Sequence, residues 1–304
     1  MTSSTAEVLT LTEALCGALG SPSAHRLARL LDYVEADLSR LTTEGLVGPY
    51  ADDFAWVTSG LDAMEASRIR FWDDSVERMQ VEGVSVITAG VDSYPLNLRL
   101  VPNRPPVLFV RGTTLDSDVR AIAVVGTRKP TSDGQEKAAA VAGRLAKVGV
   151  TVVSGLAEGV DSIAHRAALD AGGRTIAVFG TGIDRMFPKS NGLLATEIAA
   201  HGATVSQWWP GQAGTRWTFP LRNIVTSGLA LGTVVVEATE SSGARLQAEE
   251  ARRHGRRLFL LKHVTKQPWA TALVGQPGVH VVERVGEIME LIELDLDTES
   301  FSFA

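Results

Sequence analysis

A short apolar segment, the glycine-containing turn after it and an alanine-rich segment together constrain this chain more than any other feature. Ala121–Val125 has the composition of a buried β-strand, and 126–134 holds two glycines, two cations and several hydroxyl or carboxylate side chains. Gln135–Val148 has the composition of a helix. A strand, a glycine turn and a helix in this order present unpaired helix N–H groups to an anion. The segment therefore predicts either a phosphate site or an ordinary strand-to-helix turn.

Individual residues of the turn bear on the choice between a phosphate site and an ordinary turn. Gly126 lets the backbone approach a ligand closely, and Arg128 can fork onto phosphate oxygens. Asp133 and Glu136 have the spacing of a capping box, which predicts that the helix starts there. The turn contains neither Gly-x-Gly-x-x-Gly nor the Gly-Lys-Ser/Thr of a P-loop, so the rest of the chain must decide.

Strand and helix patterns alternate from residue 121 onward. Apolar β-type runs are separated by helical runs, which predicts a mostly parallel sheet covered on both faces, that is, an α/β, extended Rossmann-like, doubly wound fold. The predicted strands are 121–125, 151–154, 175–179, 203–206, 233–237 and 257–261, with 84–88 and 107–110 before them, and the predicted helices are 135–148, 159–171, 191–200, 222–230 and 244–254.

Residues from about 6 to 80 have helical periodicity, with apolar side chains at Leu27, Leu30, Leu31 and Val34, and a second run over about 61–80. We expect a small helical domain, 1–80, that packs on the main domain, 81–304, or on a partner. A helix-hairpin DNA-binding module is the alternative, but no glycine hairpin pattern supports it.

The residues that follow the predicted strands are rich in glycine and small polar groups. Ligands of doubly wound sheets lie beyond the carboxyl ends of the strands, so several such turns at one edge predict a crevice for a ligand with phosphate or sugar groups. The candidate binding residues are Gly126, Thr127, Arg128, Lys129, Ser154, Gly155, Asp161, His165, Gly180, Gly182, Arg222, Asn223, Glu237, Ser242 and Gly243.

Asp161 and His165 are four residues apart on a predicted helix and share a face. They could be a carboxylate that orients an imidazole near the ligand, a metal pair, or a structural pair. No second histidine or cysteine has supporting spacing, so we expect no metal and favour a structural or ligand-positioning role. Trp208, Trp209 and Trp217 could stack on single-stranded bases, but the core or an interface is the favoured interpretation.

Composition excludes several classes of protein. The 304 residues include one cysteine, Cys16, which excludes an internal disulfide and a cysteine-based metal cluster. Met1–Thr10 has no signal-peptide pattern and no apolar run is long enough for a bilayer, so we expect a cytoplasmic protein without membrane contact. The net charge of −6, with acidic residues concentrated in the last segment, argues against a protein that coats nucleic acid with its whole surface.

Five motifs in order make the sequence resemble the DNA-processing protein A (DprA/Smf) family over about residues 80–290. The motifs are Ala-Val-Val-Gly-Thr-Arg at 123–128, Ser-Gly-Leu-Ala-Glu-Gly-Val-Asp-Ser-Ile-Ala-His at 154–165, Thr-Ile-Ala-Val-Phe-Gly-Thr-Gly-Ile-Asp at 175–184 with Pro188, Phe-Pro-Leu-Arg-Asn at 219–223, and Val-Val-Glu-Ala at 235–238 with Ser242, Gly243 and Ala244.

The resemblance implies a non-enzymatic protein without cofactor or metal. It would bind single-stranded DNA in a basic pocket, form a homodimer and hand the DNA to a RecA-type recombinase in natural transformation. Arg128, Ser154, Arg222 and Asn223 would contact phosphates, and Gly126, Gly155, Gly180 and Gly243 would allow close approach.

The sequence also departs from the family pattern. Ile224 stands where a second arginine is usual, which would remove one phosphate contact and flatten the salt dependence of binding by about one unit of slope. Gln207, Gln247 and Lys262-His263 are further departures, and we expect a divergent member without the C-terminal winged-helix-like domain. A sensor of a nucleotide or nucleotide-derived signal is the alternative function. A nucleoside monophosphate hydrolase is disfavoured because 237–249 lacks the Pro-Gly-Gly-x-Gly-Thr-x-x-Glu loop.

Overall fold

A computed structural model of the protein describes residues 3–43, 46 and 48–301. The α-helices in chain order are α1 Thr5–Cys16, α2 Pro22–Tyr33, α3 Arg40–Thr43, α4 Phe54–Asp62, α5 Ala66–Val81, α6 Leu96–Arg99, α7 Ser132–Lys147, α8 Val160–Asp170, α9 Gly192–His201, α10 Thr218–Gly228, α11 Gly243–Arg253, α12 Pro268–Thr271 and α13 Val285–Phe301. The strands are β1 Val84–Thr88, β2 Val107–Gly112, β3 Ala121–Val125, β4 Thr151–Ser154, β5 Thr175–Phe179, β6 Ala203–Ser206, β7 Gly232–Val235, β8 Arg257–Leu261 and β9 Val279–Val282. Short 3₁₀ helices cover Gly48–Asp53, Asp116–Val119, Lys189–Asn191 and Lys262–Lys266.

All nine of these strands form one sheet in the order β1-β2-β6-β5-β4-β3-β7-β8-β9. β1 and β2 are antiparallel to their neighbours, and the run from β6 to β9 is parallel. The strand order reverses at β3, which pairs with β4 on one side and with β7 on the other. This confirms the predicted α/β, mostly parallel, doubly wound fold, and it places the topological switch point, where such sheets bind ligands, at the carboxyl ends of β3 and β7.

Apolar clusters cover both faces of the sheet. Ile122 and Val124 of β3 face a cluster formed with α7, α8, α11 and α13, whereas Ala121 and Ala123 face a cluster that includes α2 and α10. Successive side chains of a strand point to opposite faces, so a strand buried on both sides must be apolar throughout. This is why the sequence of β3 has no alternation.

The N-terminal helices share a core with the sheet. Leu27 and Leu31 of α2 lie in the same cluster as Leu108 of β2 and Val178 of β5. Trp209, which follows β6, stacks on Trp72 of α5 with ring centroids 5.0 Å apart. The division at 80/81 stays a prediction, but the two regions are packed together.

Several predicted bounds were wrong. Strand β9 is absent from the prediction because it is short and only partly buried. The predicted helix over 61–80 is interrupted at Ala63–Glu65, between α4 and α5. Helix α7 begins at Ser132 because Thr131, whose hydroxyl accepts from the Gly134 N–H at 3.1 Å, is its N-cap. The predicted Asp133–Glu136 capping box is therefore incorrect.

Candidate nucleic-acid cleft

A cleft of about 760 Å³ opens at the carboxyl ends of β3 and β7. The turns after β3, β4 and β7 and the N-terminal parts of α10 and α11 form its walls. The lining residues are Val125, Gly126, Thr127, Arg128, Lys129, Gly155, Ala157, Asp161, Phe187, Gly214, Thr215, Arg216, Phe219, Pro220, Arg222, Asn223, Thr226, Thr239, Ser241, Ser242, Gly243, Ala244, Leu246 and Gln247. The structure thus brings ten of the fifteen candidate residues together at the switch point.

The cleft is basic. Its lining contains the cations Arg128, Lys129, Arg216 and Arg222, and among the described lining residues Asp161 is the single carboxylate. Arg128 and Lys129 are exposed, whereas Arg222 is half-buried. Cations held in a concave surface concentrate the positive potential there, even though the whole chain is acidic.

Arg222 is the most constrained of these cations. Its guanidinium donates to the Val178 carbonyl oxygen at 2.7 Å, which fixes it over the carboxyl end of β5. Burial and the nearby Arg128 lower the pKa of Arg222, and the Asp161 carboxylate opposes that change. An arginine remains charged at neutral pH in such a setting, so its free N–H groups are available to a phosphate.

Asp161 organises the turn after β4. Its carboxylate accepts from the Gly155 N–H at 3.1 Å and from the Ala157 N–H at 3.4 Å. Burial raises the pKa of Asp161, while the Arg222 charge and these two N–H groups act in the opposite direction. Asp161 thus shapes the turn and partly balances Arg222.

The expected Asp161–His165 pair does not form. His165 is fully buried and its Nδ1 lies 2.7 Å from the Thr175 hydroxyl, so it bonds to β5 and not to Asp161. Ser154 is also fully buried, and its hydroxyl donates to the Val124 carbonyl oxygen at 2.7 Å. In this conformation neither side chain can contact a ligand, which corrects both candidate assignments. Within the described residues, no group of three or more His, Cys, Asp or Glu side chains is arranged for a metal ion.

The glycines of the strand ends mostly make room for the protein itself. A Cβ at Gly126 would lie 2.5 Å from a Val160 side-chain atom, and one at Gly180 would lie 2.4 Å from the Phe219 ring. At Gly182 a Cβ would lie 2.6 Å from a backbone oxygen, and neither Gly180 nor Gly182 lines the cleft. Gly243 differs, because nothing lies within 4 Å of its Cβ position. Only Gly243 therefore matches the expectation of a glycine kept open toward a ligand.

Glu237 also has a structural role. Its carboxylate accepts from the Thr131 N–H at 3.2 Å and the Thr131 hydroxyl at 2.9 Å, and its backbone oxygen accepts from the Thr127 N–H at 2.7 Å. A Cβ at Gly134 would lie 1.9 Å from the same carboxylate. Glu237 therefore ties the end of β7 to the turn after β3 and does not line the cleft.

Other lining residues carry no recognisable sequence signal. Arg216 has its guanidinium carbon 4.8 Å from the centre of the exposed Trp217 ring, and the rings of Phe187 and Phe219 are 5.3 Å apart at the cleft. Trp208 is buried and Trp209 packs on α5, so the interpretation as core residues is correct for these two. An arginine or phenylalanine in a loop carries no local signal of what it faces.

Three residues that depart from the family pattern, Ile224, Gln207 and Gln247, lie in different environments. Ile224 is buried in the apolar cluster with Val225 and Leu229 and does not line the cleft, so its expected effect on a phosphate contact is not supported. Gln207 is buried outside the cleft. Gln247 lines the cleft, is 3% exposed, and neither polar atom of its amide has a hydrogen-bond partner in the described part of the chain.

Comparison with known proteins adds independent information. The family model for DNA recombination-mediator protein A matches residues 85–293. The chain is 36% identical to DNA processing protein DprA of Bacillus subtilis over 69% of its length and 71% of that protein. It is 38% identical to Protein Smf of Synechocystis sp. over 61% of its length but 48% of that protein, and 37% identical to Streptococcus pneumoniae DprA over 56% of its length and 60% of that protein. The chain thus spans about half to about seven tenths of the length of these three relatives.

Two solved structures are similar to the whole chain or most of it. The X-ray structure of DNA processing protein A from Streptococcus pneumoniae superimposes with a TM-score of 0.73 at 26% identity, covering 95% of this chain and 98% of that one. DNA processing protein A from Helicobacter pylori, whose structure was described for its single-stranded DNA binding mode, gives 0.61 at 25% identity over 70% and 96% of the two chains.

Proposed function

Since the chain belongs to the DNA recombination-mediator protein A family, we propose that it is an accessory protein that binds single-stranded DNA in this cleft. The observation that carries the proposal is the basic lining at the switch point, with Arg222 fixed beside exposed Arg128 and Lys129. The description of the Helicobacter pylori relative as a single-stranded DNA binder supports the same ligand.

Binding uses phosphate contacts and stacking. Arg128 and Arg222 hold phosphate oxygens, and the N-terminus of α11, with Ser242 and Gly243 in the lining, adds the positive end of its dipole. Phe187 and Phe219 offer ring faces for bases, which every base can use regardless of sequence. We therefore expect affinity to depend strongly on salt and weakly on sequence.

We also propose that the protein is not an enzyme, that it forms a homodimer and that it delivers DNA to a RecA-type recombinase. The lining offers cations and aromatic rings, and its single carboxylate is engaged by backbone N–H groups and Arg222. Sedimentation over a range of concentrations tests the dimer. Pull-down with a purified RecA-type recombinase, with and without single-stranded DNA, tests the partner. Incubation of the protein with a nucleoside monophosphate tests the absence of enzyme activity, and we expect the nucleotide to remain intact.

The decisive experiment measures fluorescence anisotropy of a labelled single-stranded oligonucleotide during a salt titration. Arg128→Ala combined with Arg222→Ala should lower the affinity and reduce the slope of log affinity against log salt by about 1.4, at about 0.7 for each phosphate contact with a single strand. Arg70→Ala combined with Lys147→Ala removes the same charge from exposed positions outside the cleft and should leave binding unchanged. No binding by the folded wild type at low salt would contradict the proposal and direct the search to mononucleotides.

A further inference from the structure

A second pocket, of about 460 Å³, lies at the carboxyl ends of β8 and β9, outside the cleft. We call it the α7–α13 pocket, because residues of α7 form one wall and the start of α13 forms another, with the 3₁₀ helix Lys262–Lys266 between them. Its lining residues are Lys137, Ala140, Val141, Arg144, Leu261, Lys262, His263, Lys266, Val282, Glu283, Arg284, Val285 and Ile288. None of the candidate residues from the sequence lies in it.

The rim of the α7–α13 pocket is strongly basic. Five of its lining residues are lysine or arginine, and among the described lining residues Glu283 is the single carboxylate. Lys262 is paired with Glu283 at 2.6 Å, and Arg284 is paired with Glu287 at 3.0 Å. Arg144 and Lys266 are exposed and form no ion pair with any described residue, so they are available to an anion.

The floor of this pocket is apolar. Leu261, Val282, Val285 and Ile288 are buried side chains that line it. Its described lining contains no asparagine, glutamine, serine or threonine, and its polar side chains are the five cations, His263 and Glu283. A basic rim over an apolar floor suits a phosphate with its attached sugar or base.

The α7–α13 pocket and the cleft are at the same edge of the sheet. β7, β8 and β9 are parallel neighbours, so their carboxyl ends face the same way, and β9 lies about 10 Å, or two strand spacings, from β7. Helix α7 connects the two sites, since its N-cap lies at the end of β7 and its side chains line the pocket. Thr131 is bonded to Glu237 on the cleft side, and Lys137 Nζ lies 3.3 Å from His263 Nδ1 on the pocket side.

We propose that the α7–α13 pocket is a second contact site for the same DNA strand after it leaves the cleft. A phosphate lies against Arg144 and Lys266, and the attached sugar or base packs on the apolar floor. The proposal rests on single-stranded DNA binding in the cleft and adds the path of the strand. A free mononucleotide shares this chemistry, but the position of the pocket at the same sheet edge as the cleft favours the strand.

The test uses the full chain and oligothymidylates from about 4 to about 16 nucleotides, a range of site sizes known for single-strand binders. The wild type should gain affinity with length beyond the shortest oligonucleotides. Arg144→Ala combined with Lys266→Ala should keep the affinity for the shortest ones, lose the gain with length, and reduce the salt slope for the longest by about 1.4.

Controls separate this proposal from the binding proposal itself. Arg70→Ala with Lys147→Ala removes equal charge elsewhere and should preserve the gain with length. Arg128→Ala with Arg222→Ala should weaken binding at every length. If the pocket variant matches the wild type at all lengths, or weakens a mononucleotide and not the long oligonucleotides, the inferred path is wrong. Failure of the wild type to bind any oligonucleotide would overturn both proposals.

Discussion

Gly155 and Arg222 lie in close contact in the cleft lining. A Cβ at Gly155 would lie 1.9 Å from Nη1 of Arg222 and 2.3 Å from its guanidinium carbon. The guanidinium therefore rests on the backbone of the turn after β4, in the space that any other side chain would fill. Gly155 is needed for the position of Arg222 and not for the conformation of its own backbone.

Gly155→Ala should lower DNA affinity to about that of Arg222→Ala. The atoms displaced are at the far end of a flexible side chain, so the free energy of unfolding should change by less than about 1 kcal/mol. Oligonucleotide anisotropy and urea denaturation measure the two effects.

Gly143→Ala is the matched control, since its Cβ would meet nothing closer than 3.6 Å in helix α7. It should raise stability by about 0.5–1 kcal/mol and leave DNA affinity unchanged. Full DNA affinity in Gly155→Ala would argue against a role for the Arg222 position.

His165 has a defined tautomer. The Thr175 hydroxyl donates its proton to the Val152 carbonyl oxygen at 2.7 Å, so it must accept from His165, whose Nδ1 therefore carries the hydrogen. Burial, with a smaller contribution from the Arg222 charge, lowers the pKa of His165 from 6.5 to about 3. The folded protein therefore holds this imidazole neutral at physiological pH.

Stability should fall as the solution becomes acidic because of this histidine. The imidazole of His165 binds a proton below pH 6.5 in the unfolded chain and only near pH 3 in the folded chain. The stability that the neutral imidazole contributes is therefore complete above pH 6.5 and is lost as the pH falls from 6.5 toward about 3. The slope attributable to His165 is about 1.4 kcal/mol per pH unit. Urea denaturation from about pH 7 to about pH 4 should show this slope in the wild type and in the control His201→Gln, which changes an exposed histidine. His165→Gln should not show it. An equal slope in His165→Gln would assign the effect to other groups.

At the scale of the elements, one carboxylate joins the N-terminal helices to the strands. Asp32 of α2 accepts from the Gly90 N–H after β1 at 2.9 Å and from Arg104 Nε before β2 at 2.7 Å. The two charged side chains are only 16% and 10% exposed. Three separate segments of the chain are thus connected through one buried ion pair.

Asp32→Ala should therefore destabilise the protein by about 3–5 kcal/mol, because it leaves the Arg104 charge buried without its partner. Glu197→Ala, which removes the exposed partner of Arg166, is the control and should cost no more than about 1 kcal/mol. Denaturant unfolding gives both values. Equal costs for the two variants would show that the buried pair contributes no more than a surface pair.

At the scale of the whole molecule, the helices before β1 cover apolar surface of the sheet. Leu27 and Leu31 pack in the same cluster as Leu108 and Val178, and the Trp209 indole N–H donates to the Gly17 carbonyl oxygen at 3.1 Å. The covered sheet face is therefore part of a shared core.

Within the described residues, no helix has both the length and the apolar composition needed to cross a membrane.

A chain beginning at Gly83 should consequently aggregate or lose cooperative unfolding, because removal of α1–α5 exposes this face to water. Size-exclusion chromatography with denaturant unfolding of the fragment, beside the full chain, measures the effect. A monodisperse fragment that unfolds cooperatively would instead establish 1–80 and 81–304 as independent domains.

Local sequence patterns are enough to predict the α/β fold and the edge of the sheet at which the cleft lies. The parallel strands are fully apolar because both faces are covered, and this pattern is local, so strands such as Ala121–Val125 and Thr175–Phe179 were predicted with their observed bounds. Parallel pairing then places the carboxyl ends together. Strand β9 escaped because a short, half-exposed edge strand has no such pattern.

Which side chains face the cleft depends on packing between elements that are distant in sequence. Ser154 and His165 belong to motifs at the strand ends, yet both point into the core, while Arg216 lines the cleft without belonging to any motif. The direction of a side chain depends on neighbours distant in sequence, as where the Arg222 guanidinium occupies the space above Gly155. Local sequence specifies the backbone pattern, whereas packing between elements specifies the surface that a ligand meets.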